Sequence, residues 1–202
     1  MKKSMKFWQW FSDNQNAYTF LASIDESAKE KLLDDLLARL HEYCDQLYFE
    51  VGGFPEGEQE LIITAEGNVD YFPKVEELIA DAPSIDGWTF IAFKQPTNDP
   101  FTTKWGDLEL DTNDIWFIPL EGGTPKEIGI RVYIPNYDLI RDNDSCQPLL
   151  LKMIDTLAGE KSFSLELAHI EFESQVADPE DDGQIPIIEL SNYIEWSKSN
   201  RE

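Results

Sequence analysis

The chain has 202 residues, 42% of them hydrophobic and 12% aromatic, and carries 40 acidic against 16 basic residues for a net charge of −24. Such a composition is too apolar for disorder, and no apolar run approaches the roughly 20 residues that a membrane-spanning helix needs. The acidic excess argues against direct nucleic-acid binding and against docking on anionic membranes, because phosphate contacts require clustered Lys and Arg.

Met1-Lys2-Lys3-Ser4-Met5-Lys6 begins like a signal peptide, but the apolar patch after it, Phe7-Trp8-Gln9-Trp10-Phe11, is too short to direct export. Cys44 and Cys146 stand far apart on segments read as helical, so reduced thiols and a cytoplasmic location are expected. The rings of Phe7, Trp8, Trp10 and Phe11 predict that segment 1–22 packs onto the domain; left exposed, they would form a docking surface.

Ser23-Ile24-Asp25-Glu26 offers a capping box ahead of Leu32, Leu33, Leu36, Leu37, Leu40, Tyr43, Cys44 and Leu47. Their spacing predicts the longest helix over 26–46. His41 falls at the edge of that apolar face, a position where histidine is ordinarily structural. Segments 47–51 and 60–65 read as a hairpin, and Glu66-Gly67-Asn68 forms a turn tolerant of positive φ. Pro73 suits the first turn of a helix that points Val75, Leu78 and Ile79 inward and stops at Ala82-Pro83. In strand 88–93, Trp88 and Phe90 alternate with Thr89, Ile91 and Phe93, so both faces are apolar and a central position is expected.

After an irregular segment at 94–103, strands 105–110 and 115–120 flank Asp111-Thr112-Asn113-Asp114 as a second hairpin. A turn at Gly122-Gly123-Thr124-Pro125 leads into strand 127–134, whose inner face is Ile128, Ile130, Val132 and Ile134. Asp144 or Ser145 caps a helix with Pro148 in its first turn and Gly159 as its stop. Phe163, Leu165 and Leu167 alternate in a further strand; the phase slips at Ala168-His169, predicting a bulge or a bend, and resumes at Ile170 and Phe172. Segment 191–196 reads as a short helix, and no internal repeat is visible. The expected fold is one α+β domain over 1–202, a mainly antiparallel sheet of about six to seven strands with two to three helices on one face. Around it lie the aromatic segment 1–22 and an acidic loop plus short helix at 174–202.

Three patterns could carry chemistry. Asp178, Glu180 and Asp182, with Gly183 at the sixth position and Glu189 at the twelfth, resemble the EF-hand calcium loop, and Ile185 at the eighth fits too. Glu180 in place of a shorter acid, Pro186 at the ninth position and a strand-like approach depart from it, and a solvated acidic turn is the competing reading. His169, Glu171 and Glu173 alternate onto one strand face that could bind a metal or could be an ordinary polar outer face. Glu66, at a strand end near aromatic residues, is the best general acid/base candidate, beside the plainer role of a turn residue. No nucleophile elbow, Walker loop or dinucleotide fingerprint is present.

The Ile63-Thr64-Ala65-Glu66-Gly67 turn, followed by Phe72-Pro73, Val75, Leu78, Ala82-Pro83, Trp88 and Phe93-Lys94 with Pro96, resembles a pattern in small bacterial cytosolic proteins of unassigned function. The resemblance implies an intracellular α+β domain and transfers no activity or site. The leading functional expectation is a noncatalytic interaction domain without a cofactor, whose acidic surface recognises a basic protein partner, as an immunity-type inhibitor would. The alternative is a carboxylate-dependent enzyme or a calcium-binding module.

Overall fold

The computed structural model describes residues 2–19, 21–53, 57–105, 108–120, 127–141 and 146–200. The expected turn at 122–125 and the expected cap at Asp144 or Ser145 lie outside the described residues. The chain gathers into two compact units, Met1–Lys94 and Gln95–Glu202. Each has a hydrophobic cluster of its own.

The first unit opens with helix α1 (Lys3–Asn14), which buries Ser4, Phe7, Trp8 and Phe11. These recur at three and four residues, so the aromatic segment is one helix face, and it is packed. Helix α2 (Glu26–Tyr43) begins where the Asp25 carboxylate accepts the Ala28 N–H at 3.1 Å, so the cap is Asp25 and not Ser23. It ends at Cys44, which is extended with φ −153°. Strands β1 (Tyr48–Gly53) and β2 (Gln59–Thr64) form the expected antiparallel hairpin. Helix α3 (Phe72–Ala80), with a proline in its first turn, then carries the chain over to β3 (Trp88–Ala92).

Among the described residues β3 pairs with β2 alone and parallel to it, so the order is β1-β2-β3 and the expected central strand is an edge. Its apolar character has another cause. Phe90 lies 4.5 Å from the Trp8 ring and Trp88 5.0 Å from Phe11, so one face of β3 receives the aromatic stripe of α1. The Trp8 indole N–H donates to the Leu78 carbonyl at 2.7 Å, tying α1 to α3 as well.

A polar clasp joins the same two helices. The Ser4 hydroxyl donates to Asp81 at 2.6 Å and the Lys2 ammonium lies 3.3 Å from that carboxylate, which holds its pKa below the usual aspartate value, the Ser4 hydrogen bond contributing most. A depressed native pKa gives stability that is fully present above the unfolded-state value of about 3.9 and is lost as pH falls through the native one. Asp81→Asn should therefore destabilise the protein at pH 7 and make progressively less difference below about pH 4. Urea titrations of both proteins across that range would show it; a difference that persisted in strong acid would assign the effect to something other than the ionised carboxylate.

In the second unit, β4 (Thr102–Trp105) and β5 (Leu108–Asp111) make a two-stranded sheet. β6 (Trp116–Leu120), β7 (Ile128–Ile134), β8 (Leu167–Ser174) and the short β9 (Ile185–Pro186) make another, in the order β8-β7-β6-β9. Helices α4 (Gln147–Ala158) and α5 (Glu160–Leu165) connect β7 to β8, and α6 (Leu190–Asn200) closes the described chain. Ile128, Ile130, Val132 and Ile134 are buried with Leu150, Ile154 and Leu157 of α4, whereas Leu151, which the helical spacing places in the same apolar set, is 39% exposed.

Mixed α+β architecture is observed, but in place of a single sheet with two to three helices there are three sheets and, among the described residues, six α-helices. The expected hairpin at 111–114 is not formed. Asp111 instead caps a 3₁₀ turn at Thr112–Asp114, and buried Thr112 binds the Phe101 N–H and carbonyl through its hydroxyl at 2.9 and 3.1 Å. β5 thereby pairs backwards with β4, which begins within the last two residues of the segment read as irregular and ends at Trp105. The strand expected from Phe163 is likewise helix α5, since Gly159 turns the chain at φ +76° and a new helix starts at once. The predicted bulge is present: Ile128 pairs with Leu167 and Gly129 with His169, so Ala168 is the extra residue.

Each unit also traces the same path of two antiparallel strands, a helical crossover and a parallel strand. β2 and β7 are both followed by a non-glycine residue at positive φ, Glu66 at +50° and Asn136 at +58°, and then by a 3₁₀ turn.

Candidate functional site

Glu66 stands just beyond the carboxyl end of β2, beside that of its parallel neighbour β3, where ligands in sheets of this kind are usually received. The backbone there is unusual twice over, at Glu66 and at Phe93, an aromatic residue with φ +66°. Phe93 is held in that conformation by its N–H to Ile63 O at 2.8 Å and by its buried ring against Phe72 at 4.6 Å. Lys94 reaches from the next position to the Glu66 carboxylate at 2.8 Å, and the Glu66 N–H donates to the Thr64 hydroxyl. This constellation holds a strained turn with a surface ion pair.

His169 lies in the other unit, with Glu171 and Glu173 on the outer face of β8 as their alternation predicts. His169 Nε2 is 2.9 Å from Glu171 Oε1. Arg131 of β7, cross-strand from Glu171, holds Glu171 Oε2 at 2.8 and 2.9 Å and approaches Glu173 at 3.3 Å. The hydrogen bond from His169, then the Arg131 guanidinium, keeps Glu171 below the usual glutamate pKa, and the same pairing raises that of Arg131. A guanidinium between the two carboxylates supplies the positive charge that a metal ion would bring. Arg131 was readable on a mixed strand face, but its partner is set by a parallel register and a bulge.

Glu66 makes its ion pair, and His169 its hydrogen bond to Glu171, within their own units. The calcium pattern folds as a turn: Asp182 N–H donates to Asp178 O, Gly183 N–H to Glu180 O, and Gly183 takes φ +71°. Asp178, Glu180, Asp181 and Asp182 are exposed, while Glu189 lies at the end of a 3₁₀ turn and accepts from Asn192 at 2.7 Å. Among the described residues no group of three or more His, Cys, Asp or Glu side chains is placed to hold a metal ion.

His41 has the structural position expected of it, 3.1 Å from the Leu47 carbonyl, and Cys44 and Cys146 are free thiols. No helix among the described residues is long and apolar enough to cross a membrane.

One concavity escaped the sequence reading. Lys3, Lys6, Phe7 and Trp10 of α1, at i, i+3, i+4 and i+7, face Arg39, Glu42 and Tyr43 of α2, at i, i+3 and i+4, around a cavity of about 260 Å³. Each half is legible as a helix face, but nothing in the sequence says that the two faces meet.

Fold and sites together define an α+β protein with two parallel crossovers and paired surface charges. Compared with known protein families, with curated proteins and with solved structures, the chain matches none.

Proposed function

We propose that this is a noncatalytic cytosolic binding protein whose acidic surface recognises a basic protein, an inhibitor that covers the cationic active site of a nucleic-acid-degrading toxin being one concrete form. The supporting observation is where the charge lies. Met1–Lys94 holds 18 acidic and 8 basic residues and Gln95–Glu202 holds 22 and 8, so the acidity belongs to both folded units and not to a tail. On α2 the exposed Glu26, Glu30 and Asp34 recur every fourth residue, forming a carboxylate stripe in which Glu26 is paired with Lys29 at 3.6 Å. Such a field accelerates encounter with a cationic surface and makes it sensitive to salt. Catalysis through Glu66 or calcium binding at 178–189 has less support, because the first is ion-paired and the second has its carboxylates spread along a turn.

The immobilised full chain, exposed to lysate at low and high salt, should retain a basic protein only at low salt. With that partner purified, Glu26→Lys/Glu30→Lys/Asp34→Lys should slow association about tenfold or more at low ionic strength and have little effect at high. Retention of no basic protein, or an unchanged association rate, would remove the reading.

A further inference from the structure

We propose that the groove between α1 and α2 binds a small aryl phosphate, its ring against Phe7, Trp10 and Tyr43 and its phosphate among Lys3, Lys6 and Arg39. This site stands independently of the acidic-surface reading, and its charge has the opposite sign.

Three of the chain's 16 basic residues converge on this one cavity, against a single lining carboxylate, Glu42. Arg39 neutralises that carboxylate directly at 2.9 Å. The Arg39 Nε is buried, makes no hydrogen bond and is ion-paired with Asp35 at 3.8 Å. Lys3 and Lys6 are exposed and make no ion pair among the described residues, whereas Lys2 is held by Asp81 and Lys74 by Glu77. Counting Glu42, the lining carries two net positive charges, and the Asp35 carboxylate paired with Arg39 just outside it reduces the local excess to one, of the sign that a phosphate monoester requires.

The rest of the lining is aromatic. The Arg39 guanidinium lies 5.7 Å from the centre of the Trp10 ring, and Phe7 and Trp10 are 6.5 Å apart. The Tyr43 hydroxyl is engaged by the Lys74 carbonyl and the Glu77 carboxylate, each at 3.0 Å, so what it offers a ligand is its ring. An apolar cavity of about 150 Å³ accepts benzene. The larger space here accommodates one ring and a tetrahedral anion.

The test is a titration of the ¹⁵N-labelled full chain with phenyl phosphate, inorganic phosphate and phenol, following the indole N–H signal of Trp10 as assigned with Trp10→Phe. A saturable shift with phenyl phosphate is expected, at several-fold lower Kd than with either fragment. Lys3→Ala/Lys6→Ala should raise that Kd about tenfold with an unchanged melting temperature, since two partly exposed charge pairs are lost. Lys3→Gln/Lys6→Gln, which keeps the methylene stems, should read the same if the alanine pair loosens α1. An unmoved Trp10 signal, an equal Kd in a folded double variant, or inorganic phosphate binding as tightly as phenyl phosphate would overturn the proposal.

Discussion

Phe11→Ala is expected to cost the Met1–Lys94 unit about 3–5 kcal/mol, the range for removing a large ring from a core that cannot close over the gap. Phe11 is 0% exposed, and its ring meets those of Trp8, Tyr18, Trp88 and Phe90 at 5.0 to 6.0 Å, so the vacancy opens where α1 packs on β3. Each lost edge-to-face contact adds about 0.5–1.5 kcal/mol beyond the buried area. Against a usual total stability of about 5–15 kcal/mol, that loss is enough to loosen α1 from the sheet. Equilibrium denaturation in urea would measure it. Trp196→Ala removes a ring of similar size from a position 61% exposed and should change stability by about 0.5 kcal/mol or less. Similar losses at the two positions would mean that the aromatic cluster does not form the core of this unit.

Gly159→Ala is expected to destabilise the Gln95–Glu202 unit by about 3 kcal/mol, the upper end of the cost of a strained backbone position. Gly159 takes φ +76° and ψ 148°, a region open essentially to glycine alone, and it both ends α4 and begins α5. A methyl group there would also stand 2.8 Å from the Pro96 ring and backbone nitrogen, which cannot step aside as a flexible side chain would. Gly52→Ala meets nothing within 4 Å and should shift stability by about 0.5 kcal/mol or less. Circular dichroism melts of the two variants would separate the cases; an unaffected Gly159→Ala would show that α4 and α5 can join without that conformation.

The features readable from residues alone are those governed by near neighbours. The α2 face, the Pro73 start of α3, the Glu66-Gly67-Asn68 turn, the inner face of β7 and even the bulge at Ala168 follow from spacing, capping and φ preference. Strand partnership does not. The parallel pairs β2–β3 and β7–β8 are closed by crossover helices, and the apolar alternation of Trp88 and Phe90 would look the same in the centre of a sheet or at an edge covered by α1. At 111–114 four turn-forming residues serve a hairpin and a 3₁₀ cap equally well, and Phe101, eleven positions from Thr112, selects between them.

Of the candidate sites, the chemical types were visible and the partners were not. His169, Glu171 and Glu173 do share a face, yet Arg131 answers the two glutamates through a cross-strand register. Glu66 does sit at a turn, yet its companion Lys94 is 28 residues away. The cavity between α1 and α2 is the extreme case, seven side chains from two helices separated by the 15–25 segment, of which the sequence singles out Phe7, Trp10 and Tyr43 and none of the charged four.

Local physics, set by a 3.6- or 2-residue period, by the absence of a proline N–H and by glycine's freedom at positive φ, is carried in the order of residues and makes the helices, turns and strand faces legible. Which of those faces meet is settled by the simultaneous burial of many distant side chains, a collective choice no single segment encodes. The sheet pairings, the carboxylates already matched by cations and the basic pocket on an acidic protein all belong to that second level.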